Sequence, residues 1–204
     1  ISELGKEECI QLLNPLSQDL NVMRQTLIFN GLENINYNLN RKNSDIKLYE
    51  FGRTYHKQEE SCLEKEHLQI LVSGNIKSEN WNANPEKVNL FFIKEKVEHI
   101  LCKLGIKYYT LDELKHSSMT YSLCYKYNKK NIVNFGKLSR DLCAHFDIET
   151  DVFIADFNLD VLLELTQHNN VQYQEISKFP EIRRDLSLLI EKSISFGELQ
   201  KIAM

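Results

Sequence analysis

Hydrophobic positions recur along this chain with two spacings, and the switches between them mark out its elements. From Ile28 the apolar residues Ile28, Leu32, Ile35 and Leu39 form a narrow seam at helical spacing, which predicts a helix packed along another helix. Asn30, Asn34, Asn36, Asn38 and Asn40 interleave with it, and asparagine is a poor helix former, so this helix needs a partner surface. Leu48 to Tyr55 then alternates, with Tyr49, Phe51, Arg53 and Tyr55 on one face and Leu48, Glu50, Gly52 and Thr54 on the other. A charged polar loop, His56 to Glu66, leads to a second strand at His67 to Gly74, making a long hairpin. Trp81 lies in an irregular stretch. Helical spacing returns from about Asn89 to Leu104, with Leu90, Ile93, Val97, Ile100, Leu101 and Leu104 apolar and Gly105 placed for a left-handed C-cap.

Shorter runs complete the pattern. Cys9 to Leu13 reads as a short strand ending at the Asn14-Pro15 turn, because a proline restricts the residue before it to extended conformations. Ile106 to Thr110, Tyr121 to Tyr127, Ile132 to Phe135 and Val152 to Asn158 are predicted strands, and Leu159 to Thr166 a helix. The polar stretch Gln167 to Gln172 suits a linker, dividing residues 1–172 from residues 173–204. Beyond it Ile182 to Ile190 is a predicted strand, and Ser195 with Glu198 has the spacing of a capping box at a helix start. The chain starts at Ile1 and stops at Met204 in the first turns of that helix, so a piece of a longer protein is expected.

Composition narrows the class. At 204 residues, 42% of them hydrophobic and 26% charged, the chain can bury a substantial core and is expected to be globular and cytoplasmic. No apolar run approaches the roughly 18 to 20 residues of a membrane span. Cys9, Cys62, Cys102, Cys124 and Cys143 are scattered with no CxxC pair, the pattern of reduced structural thiols. His56, His67, His99, His116, His145 and His168 lack the spacing and acidic company of a metal site. A formal net charge of -4 argues against a self-sufficient nucleic-acid binder, since phosphate contact is largely electrostatic, although a local basic patch is compatible with it.

One succession of blocks carries more information than the composition. Asn14-Pro15-Leu16-Ser17 is followed by Asn21-Val22-Met23-Arg24-Gln25-Thr26-Leu27 and then by Leu48-Tyr49-Glu50-Phe51-Gly52-Arg53-Thr54-Tyr55. This order resembles the catalytic-like module of the bacterial phenylalanyl-tRNA synthetase beta subunit. Trp81, Asn89 to Lys94, Gly136 and Phe146-Asp147-Ile148 extend the resemblance, and Ile176 to Pro180 with Arg183-Arg184-Asp185-Leu186 resembles the start of its ferredoxin-like anticodon-binding domain. The resemblance implies an α+β fold, an antiparallel sheet flanked by helices of the class II synthetase kind. It also implies an α2β2 enzyme whose alpha subunit joins phenylalanine to tRNA with ATP and magnesium. By the same resemblance, the editing site is expected in beta-subunit domains other than those that this chain resembles.

Within that resemblance the chain departs from an active class II enzyme at both nucleotide-binding motifs. The second motif normally carries an arginine that grips the ATP phosphate as a charge-assisted fork, in the order phenylalanine, arginine, any residue, glutamate. Here the strand reads Glu50-Phe51-Gly52-Arg53. The third motif is normally a glycine-rich strand running into an arginine-led helix, and the matching stretch Val152 to Asp160 has no glycine and no arginine. Asp156 and Asp160 would set negative charge where ATP brings its own. No catalytic residue, no metal and no cofactor are therefore expected in this piece.

The remaining candidates are contact residues. Ile28, Leu32, Ile35 and Leu39, in the region similar to the first, dimer-interface motif, are candidates for the subunit interface. Lys178, Arg183 and Arg184 are candidates for tRNA contact, with solvated charges on a strand edge as the alternative. Arg53 is either a surviving nucleotide anchor or, preferred, a strand arginine paired with a neighbouring acid; Arg24 contacts RNA or, preferred, makes an ion pair. The leading function is a structural and assembly module that packs on the catalytic alpha subunit and supports tRNA placement. An independently active class II ligase and a stand-alone RNA-binding module are the alternatives.

Overall fold

The computed structural model describes residues 9–17, 21–58, 61–77, 81–82, 84–167, 175, 178–180, 182–194 and 196–203. Two compact units divide the chain, residues 1–170 and residues 171–204.

The first unit is built on one antiparallel sheet. Its strands are β1 (Ile46–Gln58), β2 (Ser61–Ser73), β3 (Thr110–Glu113), β4 (Met119–Tyr127), β5 (Lys130–Leu138) and β6 (Val152–Asn158), in the spatial order β1-β2-β6-β5-β4-β3. β6 enters between the two hairpins, so it is covered on both faces and reads as a nearly continuous apolar run. Its alternation sorts the two cores. Val152 and Ile154 pack with Leu71, Leu138, α1 (Ile28–Leu39) and α3 (Arg140–Ala144), whereas Phe153, Ala155 and Phe157 pack on the opposite face with α2 (Leu90–Lys103) and α4 (Leu159–Thr166).

Local chemistry sets the element ends. Asn89, Ser139 and Asn158 each cap a helix, accepting from the backbone N–H of Phe92, Leu142 and Val161 respectively. Gly105 takes φ +72° after α2, as a left-handed C-cap requires. In β5, Val133 faces Tyr125 while Asn131 faces Lys126, which leaves Ile132 as an extra residue in a bulge; both Ile132 and Val133 are buried in the α2-side core.

Several expectations change. The charged stretch His56 to Glu66 is not a loop: its described residues continue β1 and β2, because cross-strand pairing can extend a ladder of polar side chains where no face needs burying. The strand expected at Ile106 to Thr110 begins only at Thr110 and runs to Glu113. Of Cys9 to Leu13, only Gln11 bridges, to Val22. The five-residue α3 is too short to show a period. In the second unit, Ile182 to Ile190 forms no described strand, having no ladder partner among the described residues, and α5 spans Phe196–Ala203. The linker residues 168–172 and Ser195 of the expected capping box lie outside the described residues.

Candidate functional site

The sheet face beneath α1 divides into an apolar and a polar half. Ile46, Leu71, Leu138, Val152 and Ile154 make the apolar half, which α1 and α3 cover. Farther along the same strands the alternation places Glu50, Gly52 and Thr54 of β1, His67 and Gln69 of β2, Asp156 of β6 and Asn134 of β5. Register draws these together: Gly52 lies opposite His67, Gln69 opposite Asp156, and Asp156 opposite Asn134. This polar half is the candidate site.

Most of the polar side chains there are engaged by the chain itself, the buried Asn134 Oδ1 being without a hydrogen-bond partner among the described residues. Gln69, buried, reaches the start of α1, where the amide orientation that satisfies both of its atoms has the nitrogen donating to the Leu27 carbonyl (3.1 Å) and the oxygen accepting from the Ile28 N–H (3.2 Å). α1 has no N-cap from Leu27, so this amide and the Thr26 hydroxyl, which accepts from Ile28 N–H at 3.2 Å, supply the missing partners. Arg24 crosses over β1, donating from Nη1 to Glu50 Oε1 at 2.6 Å and from Nε to the Arg53 carbonyl at 2.9 Å. Its own carbonyl accepts from the Tyr55 N–H at 2.9 Å. Gly52 makes room for that crossing, since a Cβ there would stand 2.5 Å from Arg24 Nη2 and 2.9 Å from Leu27 Cδ2.

A three-residue relay occupies the centre. His67 sits between Asp156, whose Oδ1 and Oδ2 lie 3.0 and 3.2 Å from Nδ1, and Thr54, whose Oγ1 lies 3.0 Å from Nε2. The geometry resembles a hydroxyl–imidazole–carboxylate triad, but Thr54 is only 2% exposed, which leaves its hydroxyl no route to a substrate. Asp160, at the start of α4, accepts weakly from the Glu66 N–H at 3.5 Å.

Arg53 points to the other face. Glu64 and Glu66 bracket it at 2.7 and 2.6 Å, and the Glu66 hydrogen bond, then the charges of both acids, raise its pKa above the ordinary guanidinium value. Both arginines singled out in the sequence therefore make the ion pairs preferred for them. Nothing in the sequence sets His67 apart from the other histidines, because its relay partners lie 13 and 89 residues away.

The seam residues require a correction. Leu32 and Ile35 are completely buried in this unit's own core, and Ile28 and Leu39 pack against it. The partner surface that the helix needs is its own sheet. Lys178, Arg183 and Arg184 are exposed in the second unit, with Arg183 Nε 3.9 Å from Asp185. Among the described residues no three His, Cys, Asp or Glu side chains converge as metal ligands. Cys124 and Cys143 are buried thiols, and burial is the main cause of their raised pKa values. No described helix is long and apolar enough to cross a membrane.

Residues 2–159 match a family model described as the phenylalanyl tRNA synthetase beta chain CLM domain. The chain belongs to that family. Phenylalanine–tRNA ligase beta subunits from Bacteroides fragilis and Porphyromonas gingivalis are 40% and 33% identical to it, over 95% and 97% of its length. The chain spans only 25% and 26% of those two relatives. Among solved structures, pyrrolysyl-tRNA synthetase from Desulfitobacterium hafniense aligns with a TM-score of 0.57 at 15% identity, covering 78% of this chain and 53% of that one. This likeness is one of fold alone: the six-stranded antiparallel sheet of this chain is class II synthetase-like.

Proposed function

We propose that this chain is a non-catalytic structural and assembly module of a phenylalanine–tRNA ligase beta subunit. In this reading it packs on the catalytic alpha subunit of an α2β2 enzyme, in the cytoplasm, and helps to place the tRNA that receives phenylalanine. The observation that carries the reading is the occupied floor. Arg24 is held by Glu50 and His67 by Asp156 and Thr54, while Arg53 is turned to the opposite face and held there by Glu64 and Glu66. A nucleoside triphosphate does not suit such a surface, because Arg24 is already neutralised, Arg53 lies on the other face, β6 offers no glycine for close approach, and Asp156 adds like charge. ATP and magnesium belong, in this proposal, to the alpha subunit.

With the seam turned inward, the surface open to a partner is the opposite one, Asn30, Glu33, Asn34 and Tyr37 of α1 with Arg41 just beyond its end, all exposed. Tyr37 and Arg41 are already ordered there, the guanidinium carbon 3.3 Å from the ring centroid. Lys178, Arg183 and Arg184 are the proposed tRNA contacts.

Calorimetry with ATP and phenylalanine-dependent pyrophosphate exchange test the non-catalytic part, and both are expected to give no signal with the pure chain. Exchange above background would instead support an independently active ligase. Co-expression with an alpha subunit of the same enzyme, followed by size-exclusion chromatography, should give co-elution. A chain that elutes alone but binds tRNA with a steep salt dependence would favour the stand-alone RNA-binding reading.

A further inference from the structure

The β1–β2 hairpin outgrows the sheet. β6 pairs with β2 only from His67 to Ser73, whereas the hairpin register runs on through Thr54↔Lys65 to Gln58↔Ser61. Beyond His67 the two strands therefore form a ribbon with no third strand among the described residues. Two-stranded ribbons are marginal in water, and the exposed Arg53–Glu64 and Arg53–Glu66 pairs on one side of this one add little.

The relay stands where the ribbon leaves the sheet. His67 lies opposite Gly52, so Thr54 and Asp156 are its diagonal neighbours on β1 and β6, all on one face. Its ring thereby ties Thr54, the second ribbon position of β1 and the first on this face, to β6 in the sheet, across β2. We infer that His67 is a clasp at the root of the β1–β2 arm, and that the Thr54–His67–Asp156 relay, rather than the hairpin ladder alone, keeps the outer ribbon ordered. The tie uses both ring nitrogens. A neutral imidazole must carry its proton on Nδ1, donating to Asp156, so that Nε2 accepts the Thr54 hydroxyl proton. The 2% exposure of Thr54 means that a lost partner is not replaced by bulk water.

Amide hydrogen exchange on the 204-residue chain tests the clasp, since the arm must open as a unit separate from the rest of the sheet. In His67→Leu and Thr54→Val, amides of residues 55–58 and 61–66 should exchange at least about tenfold faster, while those of β5 and β6 keep their protection. Thr54→Ser, which retains the hydroxyl, should behave as the parent. Unchanged protection of the arm in Thr54→Val overturns the inference. So does a loss of protection shared equally by arm, β5 and β6, which would make the relay a general stabiliser. Should His67→Leu not fold, Thr54→Val with Thr54→Ser decides alone. Nitrogen NMR of the neutral imidazole gives a second test: Nδ1–H is expected, and Nε2–H overturns the relay.

Discussion

Tyr125 shows how a single side chain couples packing to proton binding. Its ring is 3% exposed and packs between Tyr109 and Phe135, while its hydroxyl donates to Glu98 Oε1 of α2 at 2.5 Å. Burial first, and then the hydrogen bond and charge of Glu98, push its pKa far up; burial also raises that of Tyr109. A phenol whose folded pKa is raised holds its proton after the unfolded chain has lost it. Its contribution to stability is complete below the unfolded value near 10 and falls as pH rises above it, by up to about 1.4 kcal/mol per pH unit for one group. Urea titrations between pH 8 and about 11 should show this fall, and Tyr125→Phe should flatten most of it at a cost of about 1 kcal/mol at neutral pH. An equally steep fall in the variant would assign the effect elsewhere. Such residue-scale chemistry was only partly legible. The acids around Arg24 and Arg53 were anticipated in kind, because a strand arginine seeks one, whereas the Thr54–His67–Asp156 relay depends on β6 entering beside β2, which periodicity cannot reveal.

The helix α1 shows what periodicity does and does not decide. Its seam was plain in the sequence, as were the bounds of β6 and α4; the identity of the surface it meets was not, since a narrow apolar stripe looks the same against a second helix, a partner chain or a sheet. The structure turns Leu32 and Ile35 onto Leu71 and Ile154. Leu32→Ala should therefore cost about 2–5 kcal/mol in urea unfolding. Leu32→Asp, which buries an unpaired carboxylate, should leave the chain largely unfolded by circular dichroism, given a total stability of order 5–15 kcal/mol. Tyr37→Ala on the outer face should change stability by no more than about 1 kcal/mol. If Leu32→Asp melts like the parent, the seam is not core. The strand expected at Ile182 to Ile190 illustrates the opposite limit: alternation shows that a segment can pair, and only a neighbour makes it do so.

At the scale of the molecule, the first unit contains the complete six-stranded sheet and both apolar cores. A chain ending at Asn170 should accordingly melt cooperatively within about 4 °C of the full chain, by calorimetry, a difference worth on the order of 1 kcal/mol or less. A broad, non-cooperative transition would mean that the second unit is needed for the first to fold. The fold class was legible because the order of helices and strands follows the class II plan; the inserted position of β6 was not, since no local pattern decides which neighbours a strand pairs with. Membership of the CLM family rests on residues 2–159, all of them in this first unit.

The crossing of Arg24 over β1 has a consequence for solubility. A sheet ends in strands whose outer amides and carbonyls invite another chain to add on, and such growth is a route to aggregation. On one side Arg24 takes up two of those groups, accepting from Tyr55 N–H and donating to the Arg53 carbonyl, and so interrupts the row that an incoming strand would have to read. On the other side β3 is four residues long and carries Asp112 and Glu113. Replacing the Arg24 side chain thus does more than remove an ion pair: it releases the Arg53 carbonyl to an incoming strand, while the Tyr55 N–H stays held by the backbone carbonyl of residue 24.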